Sequence, residues 1–134
     1  MNQDFNDRSG AVILKNTNMN LLDYLSEEEE VIHHTWNYDD DSEAYDFVVT
    51  EKRLIIFAKD YIDSYVFRSI INTSLFFSDD YIGEDDNDIV YGKGDISVCF
   101  QSAIDSTYIC FPSYRTDEAK KFYQALTKCW MRQN

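Results

Sequence analysis

Between Val31 and Pro112 the apolar residues of this chain recur with a period near two, in short runs separated by polar breaks; after Pro112 the period lengthens to 3.6. That switch restricts the chain to a layered β structure finished by one helix. The runs predict strands over 31–37, 44–50, 53–60, 63–68, 72–78, 94–101 and 106–112. Alternation is strictest in Ile96-Ser97-Val98-Cys99-Phe100-Gln101. Phe47-Val48-Val49-Thr50 joins Arg53-Leu54-Ile55-Ile56-Phe57 through the polar pair Glu51-Lys52, the pattern of a tight hairpin. Gly92-Lys93-Gly94 marks a further turn, since glycine takes positive φ most readily, and the acidic stretch from Ser78 to Asp88 reads as a long surface loop.

In the final segment Thr116 is placed to cap a helix, with Asp117 and Glu118 complementing the positive end of its dipole. Ala119, Phe122, Leu126, Cys129 and Trp130 then fall on one face, while Lys120, Lys121, Lys128 and Arg132 lie elsewhere. That apolar stripe requires a hydrophobic partner. Because the elements before it are strands, the partner is the inner face of a curved sheet, whose open end the helix closes.

At 134 residues, without internal repeat or linker between 31 and 131, the chain is read as one domain, residues 25–134, preceded by an extension over 1–24. Residues 1–18 are polar except for Ala11-Val12-Ile13-Leu14, and their role is left open. Asn20 is expected to cap a short helix presenting Leu21, Leu22 and Leu25, and Ser26 with Glu29 fits a capping box for one further turn.

Against 12 Lys and Arg stand 25 Asp and Glu, a net charge of −13, so nonspecific attraction to nucleic acid or to an anionic membrane surface is electrostatically opposed. The start of the chain has no signal-peptide pattern, and the longest apolar run, Leu54 to Ala58, is far shorter than a bilayer span of roughly 20 residues. A soluble, cytoplasmic protein is expected. Cys99, Cys110 and Cys129 are odd in number and form no C-x-x-C, so they are read as buried reduced thiols.

The hairpin around Phe47-Val48-Val49-Thr50-Glu51-Lys52-Arg53-Leu54-Ile55-Ile56-Phe57, with Glu30-Val31-Ile32 after a Leu-rich turn and the 116–131 helix, resembles the bacterial pleckstrin-homology (PH)-like family over about residues 25 to 131. A V-x-T-x-x-R-L-I hairpin is that family's most recognisable stretch. Here Thr50 would end one strand and Arg53 begin the next, its aliphatic stem lying on the sheet. The resemblance implies a mainly β fold: a seven-stranded antiparallel PH-like barrel or sandwich capped by a C-terminal α-helix. It implies little about function, since such folds serve as lipid, peptide and protein binders.

Phosphoinositide-binding PH domains, as that family is known, hold the headgroup with basic residues between their first two strands. The corresponding stretch here, Asn37 to Asp46, carries five acids and no base, so no phosphoinositide binding is expected. The same stretch sets Trp36, Tyr38 and Tyr45 beside Asp39, Asp40, Asp41 and Glu43, an arrangement of apolar anchors with a charged rim that makes this hairpin tip the expected partner-binding surface.

The acids form three clusters: Glu27 to Glu30; Asp39, Asp40, Asp41, Glu43 and Asp46; and Asp79, Asp80, Glu84, Asp85, Asp86 and Asp88. Solvated loops that maintain solubility account for them, and so does a negative surface that steers toward a basic partner. Neither Asp39-x-Asp41-x-Glu43 nor Glu84-x-Asp86-x-Asp88 has the glycine or terminal glutamate of an EF-hand loop, so no metal site is assigned. His33 and His34, adjacent on a strand, point to opposite faces and cannot readily act together. With no nucleophile elbow, P-loop, dinucleotide glycine motif or H-E-x-x-H, no catalytic residue, enzyme activity or cofactor is expected.

The sequence thus leads to a non-enzymatic PH-like module that binds a protein, with self-association or a peptide along a sheet edge as its modes. Its rival is an acidic inhibitor or immunity-type protein that blocks a basic, nucleic-acid-handling partner. Tight, salt-sensitive one-to-one binding would distinguish the rival.

Overall fold

In the computed structural model, which describes residues 10–37, 44–77 and 96–133, the period-two runs form two antiparallel sheets. Strands β1 (Val31–Trp36), β2 (Asp46–Thr50), β3 (Arg53–Phe57) and β4 (Ile62–Val66) pair in sequence order in the first; β5 (Ile70–Phe77), β6 (Ile96–Ser102) and β7 (Ser106–Phe111) do so in the second. Helix α1 (Thr116–Gln133) follows. Among the described residues the ladders form two separate sheets and not one closed ring. The third run stops at Phe57, short of the expected residue 60, because the Ala58 N–H donates to the Tyr61 carbonyl at 2.9 Å and closes a turn.

The β2–β3 hairpin shows why its sequence has this spacing. Val49 pairs with Leu54, and the Thr50 hydroxyl accepts from the Lys52 and Arg53 N–H groups, each at 3.1 Å. A side chain thereby satisfies turn donors that would otherwise need water.

Alternation divides the apolar residues of these strands between two cores. Phe47, Val49, Leu54 and Ile56 face the second sheet and pack with Val98, Phe100, Ile109 and Phe111 beneath α1. Val48, Ile55 and Phe57 face the other way, where Val12, Leu14 and Leu21 cover them. Both faces of β2 and β3 are therefore buried, which explains why their runs are continuously apolar. The covering segment is tied down by backbone bonds from Leu14 N–H to the Met19 carbonyl and from Leu21 N–H to the Val12 carbonyl, both 2.8 Å. As expected, Asn20 caps a single 3₁₀ turn, Leu21–Asp23, its side chain accepting from the Leu22 N–H. Ser26 donates its N–H and hydroxyl to Glu29, but an isolated turn, not a further helical turn, follows.

Three sequence expectations need correction. Thr116 is the first residue of α1 and not its cap. A 3₁₀ turn over Ser113–Arg115 leads directly into the helix, so Thr116 has helical dihedrals and its hydroxyl donates back to the Ser113 carbonyl at 2.7 Å. Cys99 and Cys129 are buried, but Cys110 is exposed: Ile109 and Phe111 occupy the inner face of β7, so the residue between them points out. Glu29 and Asp46, counted with the surface acid clusters, are buried at 2% and 0% exposure.

Asp46 accounts for its burial by its partners. Its carboxylate accepts from the Asn16 N–H, from the Thr17 N–H and hydroxyl at 2.9 Å, and from His34 Nε2 at 3.2 Å. Burial opposes ionisation, yet these donors hold the carboxyl below the usual carboxylate range. It therefore clamps the 14–19 loop onto β2. Asp46→Asn sets an amide donor against the Thr17 donors and is expected to destabilise the fold by about 1–3 kcal/mol in urea denaturation.

Along α1, Ala119, Phe122, Leu126 and Cys129 are buried against strands of both sheets, and Trp130 Nε1 donates to the Ile70 carbonyl at 2.7 Å. Among the described residues no helix is long and apolar enough to cross a membrane.

Candidate functional site

Where β4, the edge of the first sheet, approaches β7, the edge of the second, a cleft of about 290 Å³ opens. Buried Phe47, Ile56 and Ile109 form its floor. Its walls follow from strand periodicity. Tyr61, Asp63 and Tyr65 alternate along β4 and its entry, so all three present to one face, and Asp105, Thr107 and Ile109 do the same at β7. Tyr45 completes the aromatic lining, and Asn37 contributes from the end of β1; Tyr108 borders the cleft between Thr107 and Ile109, but its ring lies on the opposite face of β7, 6.4 Å from Phe76.

The rings are held by their neighbours. Tyr65 meets Phe100 edge-on at 4.9 Å between centroids, and Tyr45 lies 6.0 Å from Phe47 and 6.5 Å from Tyr61. The Tyr45 N–H donates to Asn37 Oδ1 at 2.9 Å, and Asn16 Nδ2 donates to both the Asn37 and Tyr45 carbonyls. Burial pushes the Tyr65 phenol up from its ordinary value; the Asp63 and Asp105 carboxylates add to this, against the opposing effect of its hydrogen bond with Thr107. Both acids thus act on one hydroxyl. Asp105 is set in the β6–β7 turn, where the Ser102 N–H donates to its carbonyl at 2.8 Å and the Ser102 hydroxyl to its carboxylate at 3.0 Å.

Of the residues expected at the hairpin tip, the structure brings Tyr45 into this cleft. Trp36 stands apart: Lys15 Nζ lies 4.2 Å and the Arg115 guanidinium carbon 4.7 Å from its ring centroid, and Arg115 also donates to the Trp36 carbonyl and the Thr35 hydroxyl. Its ring is engaged by cations of its own chain. Tyr38, Asp39, Asp40, Asp41 and Glu43 lie outside the described residues. Sequence reasoning did not assign Tyr61, Asp63, Tyr65, Asp105 or Tyr108, although the Tyr-x-Asp-x-Tyr alternation was a usable signal. His33 and His34 diverge as strand geometry requires, His33 Nε2 meeting Glu118 on α1 at 2.9 Å and His34 meeting Asp46.

No family model matches the chain, and no curated protein or solved structure matches it. Fold and cleft define its class: a mainly β protein of two antiparallel sheets and a C-terminal helix, with an acidic, tyrosine-walled cleft between two sheet edges.

Proposed function

We propose that this chain is a cytoplasmic, non-enzymatic PH-like module that binds a protein partner and does not bind phosphoinositides. The observation that carries the reading is the cleft: rigid tyrosines surround an apolar floor, carboxylates sit at the wall, and among the described residues no lysine, arginine or histidine lines it. Tyrosine supplies large contact area at low entropic cost, and an acidic wall repels a phosphate. The PH-like assignment is supported by the element order, four strands then three and a terminal helix, and by the Thr50–Arg53 hairpin. The net charge of −13 supports the rival, an acidic inhibitor of a basic nucleic-acid-handling protein.

Affinity capture from the native cell at low and then high salt, followed by reconstitution with the purified partner, tests the reading. A stoichiometric protein complex is expected, together with no saturable binding to phosphoinositide-bearing liposomes. Release of a basic enzyme on the salt step, with its activity blocked in the complex, selects the inhibitor. Headgroup-dependent, saturable liposome binding overturns the proposal.

A further inference from the structure

The cleft has an uneven chemistry. Its residues include Asp63 and Asp105, each on a different sheet edge, and the phenols of Tyr45, Tyr61 and Tyr65, and among the described residues no positive charge lines it. Aromatic faces carry negative potential, so rings and carboxylates there reinforce one another toward a cation. An anion would meet both carboxylates. A neutral apolar group would cover acids and hydroxyls without satisfying them, at a desolvation cost. The site is also assembled in advance: Ser102 fixes Asp105, and neighbouring rings fix Tyr45 and Tyr65.

Resting on the protein-binding reading above, we infer that this cleft receives the guanidinium of an arginine presented by the partner. Guanidinium is flat and weakly hydrated, so it stacks on a tyrosine face while its edge donates to a carboxylate. Lysine concentrates its charge in a strongly hydrated ammonium that cannot do both as readily. Asp63 on one wall and Asp105 on the other give the fork acceptors on two sides, and the floor of Phe47, Ile56 and Ile109 takes the aliphatic stem. The volume of about 290 Å³ accommodates that side chain together with adjoining backbone.

Backbone amide NMR on the full chain tests this, with Nα-acetylarginine methylamide as probe and Nα-acetylcitrulline methylamide as its neutral near-isostere. The arginine probe is expected to shift Tyr61, Asp63, Tyr65, Thr107 and Tyr108 saturably, with the citrulline probe at least about fivefold weaker. The Asp63→Asn/Asp105→Asn double variant, nearly isosteric at two exposed positions, should weaken the arginine probe by a similar factor with an unchanged thermal midpoint. Tyr61→Ala, also at an exposed position, tests the stacking independently. Equal binding of the two probes, shifts spread over acids outside the cleft, or an unaffected double variant would overturn the inference. A captured partner that binds the double variant as tightly as the native chain would remove the arginine assignment and leave the module reading intact. Absence of any partner for the native chain, with the probe still seated, would do the reverse.

Discussion

Replacing Glu29 with alanine is expected to lower the unfolding free energy by about 3–5 kcal/mol, because it strands the guanidinium of Arg53 beside an apolar layer. The Glu29 side chain is 1% exposed and that of Arg53 25%. Arg53 donates through Nε to Oε2 and through Nη2 to Oε1, both at 2.8 Å, a bidentate pairing, and the Thr50 hydroxyl adds a bond of 2.7 Å. Nη2 also reaches the Tyr24 carbonyl at 2.9 Å. One ion pair therefore joins the covering segment to the β2–β3 hairpin. Burial would raise the Glu29 pKa, but hydrogen bonds from Arg53, Thr50 and Ser26 with the Arg53 charge hold it at about 2, down from 4.5. A carboxyl whose folded value is depressed stabilises fully above its unfolded pKa, and that contribution fades as pH falls from about 4.5 toward 2; here it amounts to about 3 kcal/mol. Urea midpoints measured across that window should fall steeply for the native chain and less for Glu29→Gln. Parallel acid profiles, or a loss below about 1 kcal/mol for Glu29→Ala at neutral pH, would refute this account.

Glu29 also marks the limit of what a sequence of this kind discloses. Strand positions and the terminal helix were legible because alternation and 3.6-residue spacing are local properties. Whether an acid in a run such as Glu27-Glu28-Glu29-Glu30 is solvated depends on an arginine 24 residues away, and local pattern carries no information on that. Thr116 failed as a cap for a related reason. The identity of the residue favours capping, but the backbone already turns at Pro112 and arrives helical. Cys110 could have been placed correctly, since it stands between two inward residues.

The site was half legible. Tyr45 was assigned from its neighbours in sequence, yet it faces Tyr61 and Asp63 across the first sheet and Asp105 across the gap between sheets. Alternation along β4 and β7 was written in the chain; that these two edges approach one another is a property of how the sheets pack, which strand periodicity does not specify. The second core was similarly hidden. Continuous apolar runs in β2 and β3 required cover on both faces, but Val12, Leu14 and Leu21 are too few and too spaced to announce themselves as that cover.

Phe122→Ala is expected to cost about 3–5 kcal/mol, the usual loss when a large aromatic leaves a fully packed site. The ring is 0% exposed and stands where all three layers meet: Phe47 of the first sheet at 5.8 Å, Phe111 of the second at 6.1 Å, and His33 stacked at 6.3 Å. An 18-residue helix of this length is marginal alone in water, so its order depends on that face. Removing the ring should therefore loosen α1 and the contact between sheets together. Denaturation should remain a single transition at a lower midpoint, with amide exchange in α1 and β2 accelerated in parallel. Met131→Ala, at a position 64% exposed near the end of the same helix, should change stability by no more than about 0.5 kcal/mol. If Phe122→Ala accelerates exchange in α1 alone and leaves β2 and β7 protected, the helix is an appendage and the two sheets hold each other without it.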